Sequence, residues 1–220
     1  KMHEIINNLI KIQNQLKDTN VEVSNNLTKI IAVSKTFPMD KILPLVEYGH
    51  SDFGENKVQE AVDKWTDIKE KYPFIKLHMI GKLQTNKVKF VVPLFDYIHS
   101  LDGLKLANKI SNEQKKNNRK LKIFIQINIG NESQKSGIDP NELNDFYNYC
   151  VNELDLNIIG IMCLPPNENK GDFYFAKMKE LIQKISVTEL SMGMSNDYLS
   201  AFKAGATFLR IGSKIFGNRN

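Results

Sequence analysis

Cysteine is nearly absent: Cys150 and Cys163 are the only two in the chain, and neither sits in a CxxC or Cys/His spacing that would hold zinc. Free thiols in a reducing compartment are the simple reading. Histidine is almost as sparse, and His3, His50, His78 and His99 are too scattered to argue for a metal. No uninterrupted apolar run reaches the length of a signal core or a membrane span, so the protein is expected in the cytoplasm and off the membrane. No GxGxxG turn follows an apolar run, which removes the usual mark of a dinucleotide site. Internal repeats, low-complexity tracts and linkers are missing too, so one domain over residues 1–220 is expected.

What is present is enough apolar material, 41% of 220 residues, for one substantial core. The net charge of +5 is spread over lysine-rich segments. The densest of these, Lys115, Lys116, Arg119, Lys120 and Lys122, has no interleaved aromatics and forms no coherent stripe. It reads as a solvated helix end and not as a nucleic-acid surface.

Ile5, Leu9, Ile12 and Leu16 recur at three- and four-residue spacing and predict an N-terminal helix, followed by a polar stretch over 18–26. From residue 30 onward the pattern changes. Short runs rich in Ile, Val and Phe alternate with longer amphipathic windows, which is the signature of βαβ units. Strands are predicted at 30–34, 52–53, 76–80, 97–99, 122–128, 157–162, 189–191 and 207–211. Helices are predicted at 39–48, 57–69, 84–92, 103–115, 141–151, 173–185 and 197–204. Eight strands are the number of a (β/α)8 TIM-type barrel. Only residues 212–220 follow the last strand, too few for a full closing helix, so the extra N-terminal helix is expected to cover that gap. The rival, an open doubly wound sheet, would need a reversal of strand order with a ligand crevice at it.

In a parallel barrel the chemistry sits where the strands end, so polar residues just past each apolar run are the candidates. Lys35 follows Ile-Ile-Ala-Val-Ser directly, and partial burial at the barrel mouth would favour its neutral amine, the form that makes a Schiff base. A lone lysine at such a place is more often a solvated loop residue. Its company matters: Gly212 and Ser213 follow the eighth strand, where barrels commonly cradle a phosphate, and Ser195 follows the seventh, where it can cap a helix opening at 196–197. Arg210 projects from a mostly apolar strand and needs an anion or an aromatic nitrogen as partner. Asn56 belongs to a Gly-Glu-Asn turn in which Glu55 could serve as an N-terminal helix charge. His78 alternates in phase with Lys76 and Ile80, as a core histidine or as a ligand.

Several longer segments coincide with one family. IIAVSKT (30–36), FGENKVQE (53–60), HMIGKLQTNKVK (78–89), IHSLD (98–102), QINIGNESQKSGI (126–138), GIMCLPP (160–166) and LSMGMSNDYLSAFKAGATFLRIGSKIFG (190–217) together span nearly the whole chain. It resembles the pyridoxal phosphate homeostasis proteins, whose fold is that of the barrel domain of alanine racemase. Departures are few: Leu77 and Lys57 stand where many members carry aromatic residues. The resemblance implies that Lys35 forms a Schiff base with pyridoxal 5′-phosphate (PLP), that Arg210 lies against the pyridine nitrogen, and that Ser195, Gly212 and Ser213 hold the phosphate. An arginine there keeps the pyridine nitrogen unprotonated and weakens the cofactor as an electron sink, which suits storage and delivery. The candidate cofactor-binding set is Lys35, Asn56, His78, Ser195, Arg210, Gly212 and Ser213, with no catalytic residue and no metal. Alanine racemases add a β-domain and a tyrosine from a partner subunit, and residues 1–220 hold no such domain. A monomeric PLP carrier that supplies apo-forms of PLP-dependent enzymes is therefore expected over an amino acid racemase or decarboxylase, or an aldolase-type barrel using Lys35.

Overall fold

The structure is a computed structural model and describes residues 3–19, 28–133 and 136–218. Most of the polar stretch over 18–26 lies outside these residues, as do Gln134 and Lys135 of the 126–138 segment. Eight strands form a closed barrel in chain order: β1 (Lys29–Val33), β2 (Asp52–Glu55), β3 (Lys76–Met79), β4 (Tyr97–Leu101), β5 (Lys122–Ile127), β6 (Asn157–Cys163), β7 (Glu189–Ser191) and β8 (Phe208–Ile211). Every pairing is parallel, and β8 returns to lie beside β1 with Ala32 opposite Ile211. The open-sheet alternative is thereby excluded.

Strands of such a barrel are buried on both faces and so read as near-continuous apolar runs. Outward, they pack on a ring made of α2 (Met39–Tyr48), α3 (Val58–Lys71), α4 (Val88–Leu94), α5 (Leu104–Asn117), α6 (Leu143–Asn148), α7 (Gly171–Ile182) and α8 (Tyr198–Lys203). Inward, Ile31, Tyr97, Phe124, Met162 and Phe208 fill the interior, so the barrel is a packed core and not a pore. The helix predicted over 141–151 is the least regular: a 3-10 turn (Pro140–Glu142) precedes α6 and a π turn (Tyr149–Glu153) follows it. Asp139 accepts the Asn141 N–H at its start, where the missing N–H of Pro140 loses nothing. A 3-10 turn (Thr85–Lys87) likewise opens the helix predicted at 84–92.

After β8 the described residues make only the short α9 (Ser213–Phe216), and the N-terminal helix α1 (Glu4–Asp18) packs against both α9 and α2. Ile5, Leu9, Ile12 and Leu16, the residues that set its period, are its buried face. Each such burial is worth about 1.5–3 kcal/mol relative to exposure. Asn8 Nδ2 donates to the Ile215 carbonyl at 3.0 Å and fixes the register of the two helices. Both thiols, Cys150 and Cys163, are buried and pushed up to about 12 by desolvation, which leaves them inert. Among the described residues no helix is long and apolar enough to cross a membrane, and no group of three or more His, Cys, Asp or Glu could hold a metal ion.

One glycine is required for strand pairing. A Cβ on Gly160 would stand 1.9 Å from the Glu189 carbonyl oxygen, on the strand that pairs beside it. Gly160→Ala must push β7 off β6, and the expected loss is about 2–3 kcal/mol. A urea unfolding midpoint equal to that of the wild type would refute this account of the pair.

Candidate functional site

The cavity of about 1160 Å3 opens where the strands end, the face on which barrel chemistry is built. Val33 and Lys35 line it from the end of β1, Asn56 from β2, Gly81 from β3, and Ser195, Arg210, Gly212 and Ser213 from the last two strands. Six of the seven expected cofactor-binding residues thus face one space. The seventh does not.

Lys35 is half-buried and sits in a turn held from below. Thr36, the next residue, has φ 69°, a region in which a β-branched residue is strained. The strain is held by specific bonds. Thr36 N–H donates to Glu60 Oε1 at 2.6 Å, and Lys64 Nζ donates to the Ser34 and Phe37 carbonyls, each at 2.9 Å. Lys64 also meets the Glu55 carboxylate at 2.8 Å, and Trp65 Nε1 and Ser34 Oγ donate to the same oxygen. Glu55 is therefore no exposed helix charge, one of the roles its place in the sequence leaves open. It is the last residue of β2, wholly buried, and burial pushes its carboxyl up against the opposing pull of Lys64, Trp65 and Ser34.

Opposite Lys35 the backbone comes close. Gly212 follows Ile211 on β8, and a Cβ there would lie 3.3 Å from Val33 Cβ, so the chain leaving β8 presses against the chain leaving β1. Ser213 begins α9 at that point. Ser195 does not cap α8, because that helix starts three residues later, at Tyr198, with Asp197 before it. Asp197 Oδ1 instead accepts the Met194 N–H at 2.7 Å, and Ser195 Oγ accepts the Lys214 N–H at 3.3 Å. The expected cap is in fact a bridge between the loops after β7 and β8, and it brings the two serines to one wall.

Arg210 is 3% exposed. Its Nη1 donates to Ser191 Oγ at 2.5 Å and its Nη2 to the Cys163 carbonyl at 2.8 Å, so protein groups hold the two ends of the guanidinium fork. Burial lowers its affinity for the proton from the usual arginine value. Asn56 lines the same cavity with its Oδ1 buried and unpartnered. Gly81 packs on it so closely that a Cβ would reach the Asn56 carbonyl oxygen at 2.4 Å.

His78 is the exception. It lies in the barrel interior, fully buried, outside the cavity. Its place is the third residue of β3, a layer below the strand ends, where its ring stacks on Tyr97 and donates to or accepts from Asp52 and His99. The wall that residue-by-residue reasoning missed is the loop after β6, where Leu164, Pro165, Pro166, Asn167 and Glu168 line the cavity. Its signal was the Pro-Pro pair followed by a polar run.

The family described as "Alanine racemase, N-terminal domain" matches residues 8–220. A curated relative in Haemophilus influenzae, called "Pyridoxal phosphate homeostasis protein", is 38% identical over 220 residues, 96% of this chain and 92% of its own. The chain belongs to the pyridoxal phosphate homeostasis protein family. Among solved structures, PipY of Synechococcus elongatus with PLP bound superposes at a TM-score of 0.83 with 30% identity, covering 97% of this chain and 100% of PipY. An alanine racemase of Clostridium difficile shares the fold alone, at 14% identity and a TM-score of 0.73, and this homeostasis-family chain spans 57% of it.

The residues present fit a PLP group. A primary amine stands at one side of the cavity and a guanidinium beside it. Hydroxyls of Ser195 and Ser213, with the Gly212 backbone, stand where a phosphate could be held, and Asn56 offers an unpaired acceptor.

Proposed function

We propose that this protein binds PLP as a Schiff base on Lys35 and takes part in vitamin B6 homeostasis, holding the cofactor without turning over a substrate and releasing it to apo-forms of PLP-dependent enzymes. The observation that carries this reading is the adjacency of β1 and β8, which puts Lys35 in the same cavity as Arg210, Gly212 and Ser213. PLP supplies an electrophilic aldehyde on a conjugated ring that withdraws electrons. The chain's own residues do the rest. Lys35 provides the amine, the Thr36 turn fixes where it points, and Ser195, Gly212 and Ser213 receive the phosphate. Arg210, permanently a donor, faces the aromatic nitrogen and leaves it without a proton, which favours retention over carbanion chemistry. A monomer in the cytoplasm is part of the same proposal.

Mixing the purified protein with PLP is expected to produce a Schiff-base absorbance band, and borohydride reduction to leave one pyridoxyl group on Lys35 by peptide mass. No loss of α-protons to deuterated solvent is expected across a panel of amino acids. A pyridoxyl group on another lysine, or none, would overturn the binding reading; proton exchange at a catalytic rate would overturn the non-catalytic one.

A further inference from the structure

Beneath the cavity, the barrel interior holds a row of polar side chains outside the cavity lining. Asp52 Oδ1 lies 2.8 Å from His78 Nε2, and His78 Nδ1 lies 2.9 Å from His99 Nε2. His99 Nδ1 then lies 2.8 Å from Ser191 Oγ, which accepts from Arg210 Nη1 at 2.5 Å. Asp52 opens β2 at the N-terminal end of the barrel, whereas Arg210 lines the cavity, so the row runs through the core from one end to the other. Both rings are clamped: His78 stacks on Tyr97 at 4.1 Å between centroids and His99 on Phe124 at 4.3 Å.

We propose that Asp52, His78, His99 and Ser191 are positioning residues, a one-directional hydrogen-bonded chain that holds the Arg210 guanidinium at the cavity wall and takes its direction from Asp52 at the far end. A guanidinium can only donate and a carboxylate can only accept, so the two ends fix every bond between them. Ser191 accepts from Arg210 and donates to His99 Nδ1. His99 carries its proton on Nε2 and donates to His78 Nδ1, and His78 carries its own on Nε2 and donates to Asp52. No other arrangement with neutral rings leaves each contact with one proton.

The titration behaviour agrees. Burial lowers both histidines, His99 well below the usual value, so both rings are neutral, and the Asp52 contact is a hydrogen bond to a carboxylate and not an ion pair. Burial alone would raise Asp52, but the hydrogen bonds from His78 and Ser51, with the charge of Lys29, bring it to about 2. Cation and anion thus stand at opposite ends of a row of aligned dipoles, each favouring the other through neutral groups. A carboxylate on the opposite side of the barrel thereby decides how firmly Ser191 serves Arg210.

The test removes that direction without emptying the core. Asn can donate as well as accept, so Asp52→Asn permits the reversed chain, in which His99 Nδ1–H competes with Arg210 for Ser191 Oγ. In protein without ligand, nitrogen-15 NMR should place the proton on Nε2 of both histidines in the wild type, and Asp52→Asn should shift both rings towards Nδ1–H. The functional half rests on the PLP reading above: Asp52→Asn and Ser191→Ala should each weaken PLP binding, by about tenfold. Acting through one chain, they should lose together little more than the larger single loss. Far-UV circular dichroism checks that the variants remain folded. Nδ1–H tautomers in the wild type overturn the proposal whatever PLP does, as do unchanged PLP affinities in both variants. Absence of any PLP band with the tautomers in place overturns the cavity reading and leaves the chain standing.

Discussion

Lys35→Ala should abolish the Schiff-base band and the borohydride-stable pyridoxyl adduct together, while PLP still binds with its aldehyde free. On the proposed reading the cavity offers two attachments, and only one of them is the amine. The other, the Ser195, Gly212 and Ser213 wall, is built by the tight passage of the chain past Val33 and by the Ser195 bond to Lys214, neither of which involves Lys35. The variant should therefore lose on the order of 100-fold in affinity, equivalent to about 2.7 kcal/mol, and retain the remainder. The half-buried side chain carries little of the core, so the thermal midpoint should move by no more than a degree or two. Equilibrium dialysis and absorbance spectra measure the two parts separately. A variant that keeps a band of the wild-type shape would move the amine elsewhere, and one that binds no PLP at all would show that the phosphate wall does not act by itself.

The barrel was legible because its signals are local. The run Ile30-Ile31-Ala32-Val33, short and β-branched, reads as a strand buried on both sides, and β1 occupies Lys29–Val33, within one residue of expectation at each end. The covering role of α1 followed from counting what remained after the eighth strand. The Lys35, Arg210 and Gly212 grouping was legible for a related reason: the rule that chemistry sits at strand ends turns position along the chain into position in space. The resemblance to a known family sharpened it.

His78 was misassigned to the cavity because period-two alternation gives the face of a strand, not the depth along it. The residue points into the barrel as expected, one layer too low to reach a ligand. Its partners Asp52 and His99 come from β2 and β4, the row continues to Ser191 on β7 and Arg210 on β8, and no spacing in the sequence ties these residues together. The role of Glu55 stays open in the sequence for a similar reason. Three residues ahead of a helix, an acidic side chain reads as a favourable charge near the helix start, but here it ends a strand, and its partners Lys64 and Trp65 lie on the inner side of α3.

That cluster carries the largest stability effect expected here. Lys64→Met keeps most of the length of the side chain and removes its charge, leaving the wholly buried Glu55 carboxylate without its cation, the Phe37 carbonyl without its Lys64 donor, and the Ser34 carbonyl with the Phe37 N–H but without the ammonium. Breaking one side of a buried pair costs about 3–5 kcal/mol. The pH dependence follows from the direction of the Glu55 shift. Burial already raises that carboxyl in the folded protein, and loss of Lys64 raises it further, so the folded variant binds a proton that the unfolded chain has released. Its stability must then fall as pH rises from the unfolded carboxyl value through the folded one. In urea, the deficit relative to wild type should be smaller at about pH 5 than at about pH 7.5, by about 1 kcal/mol or more. PLP affinity should fall in the same variant, because the strained Thr36 turn that aims Lys35 loses two of the bonds that hold it. An equal deficit at both pH values would place the lost energy outside Glu55. Unchanged PLP affinity would mean that the turn keeps its shape without Lys64, held by Glu60 and by the Phe37 N–H bond to the Ser34 carbonyl.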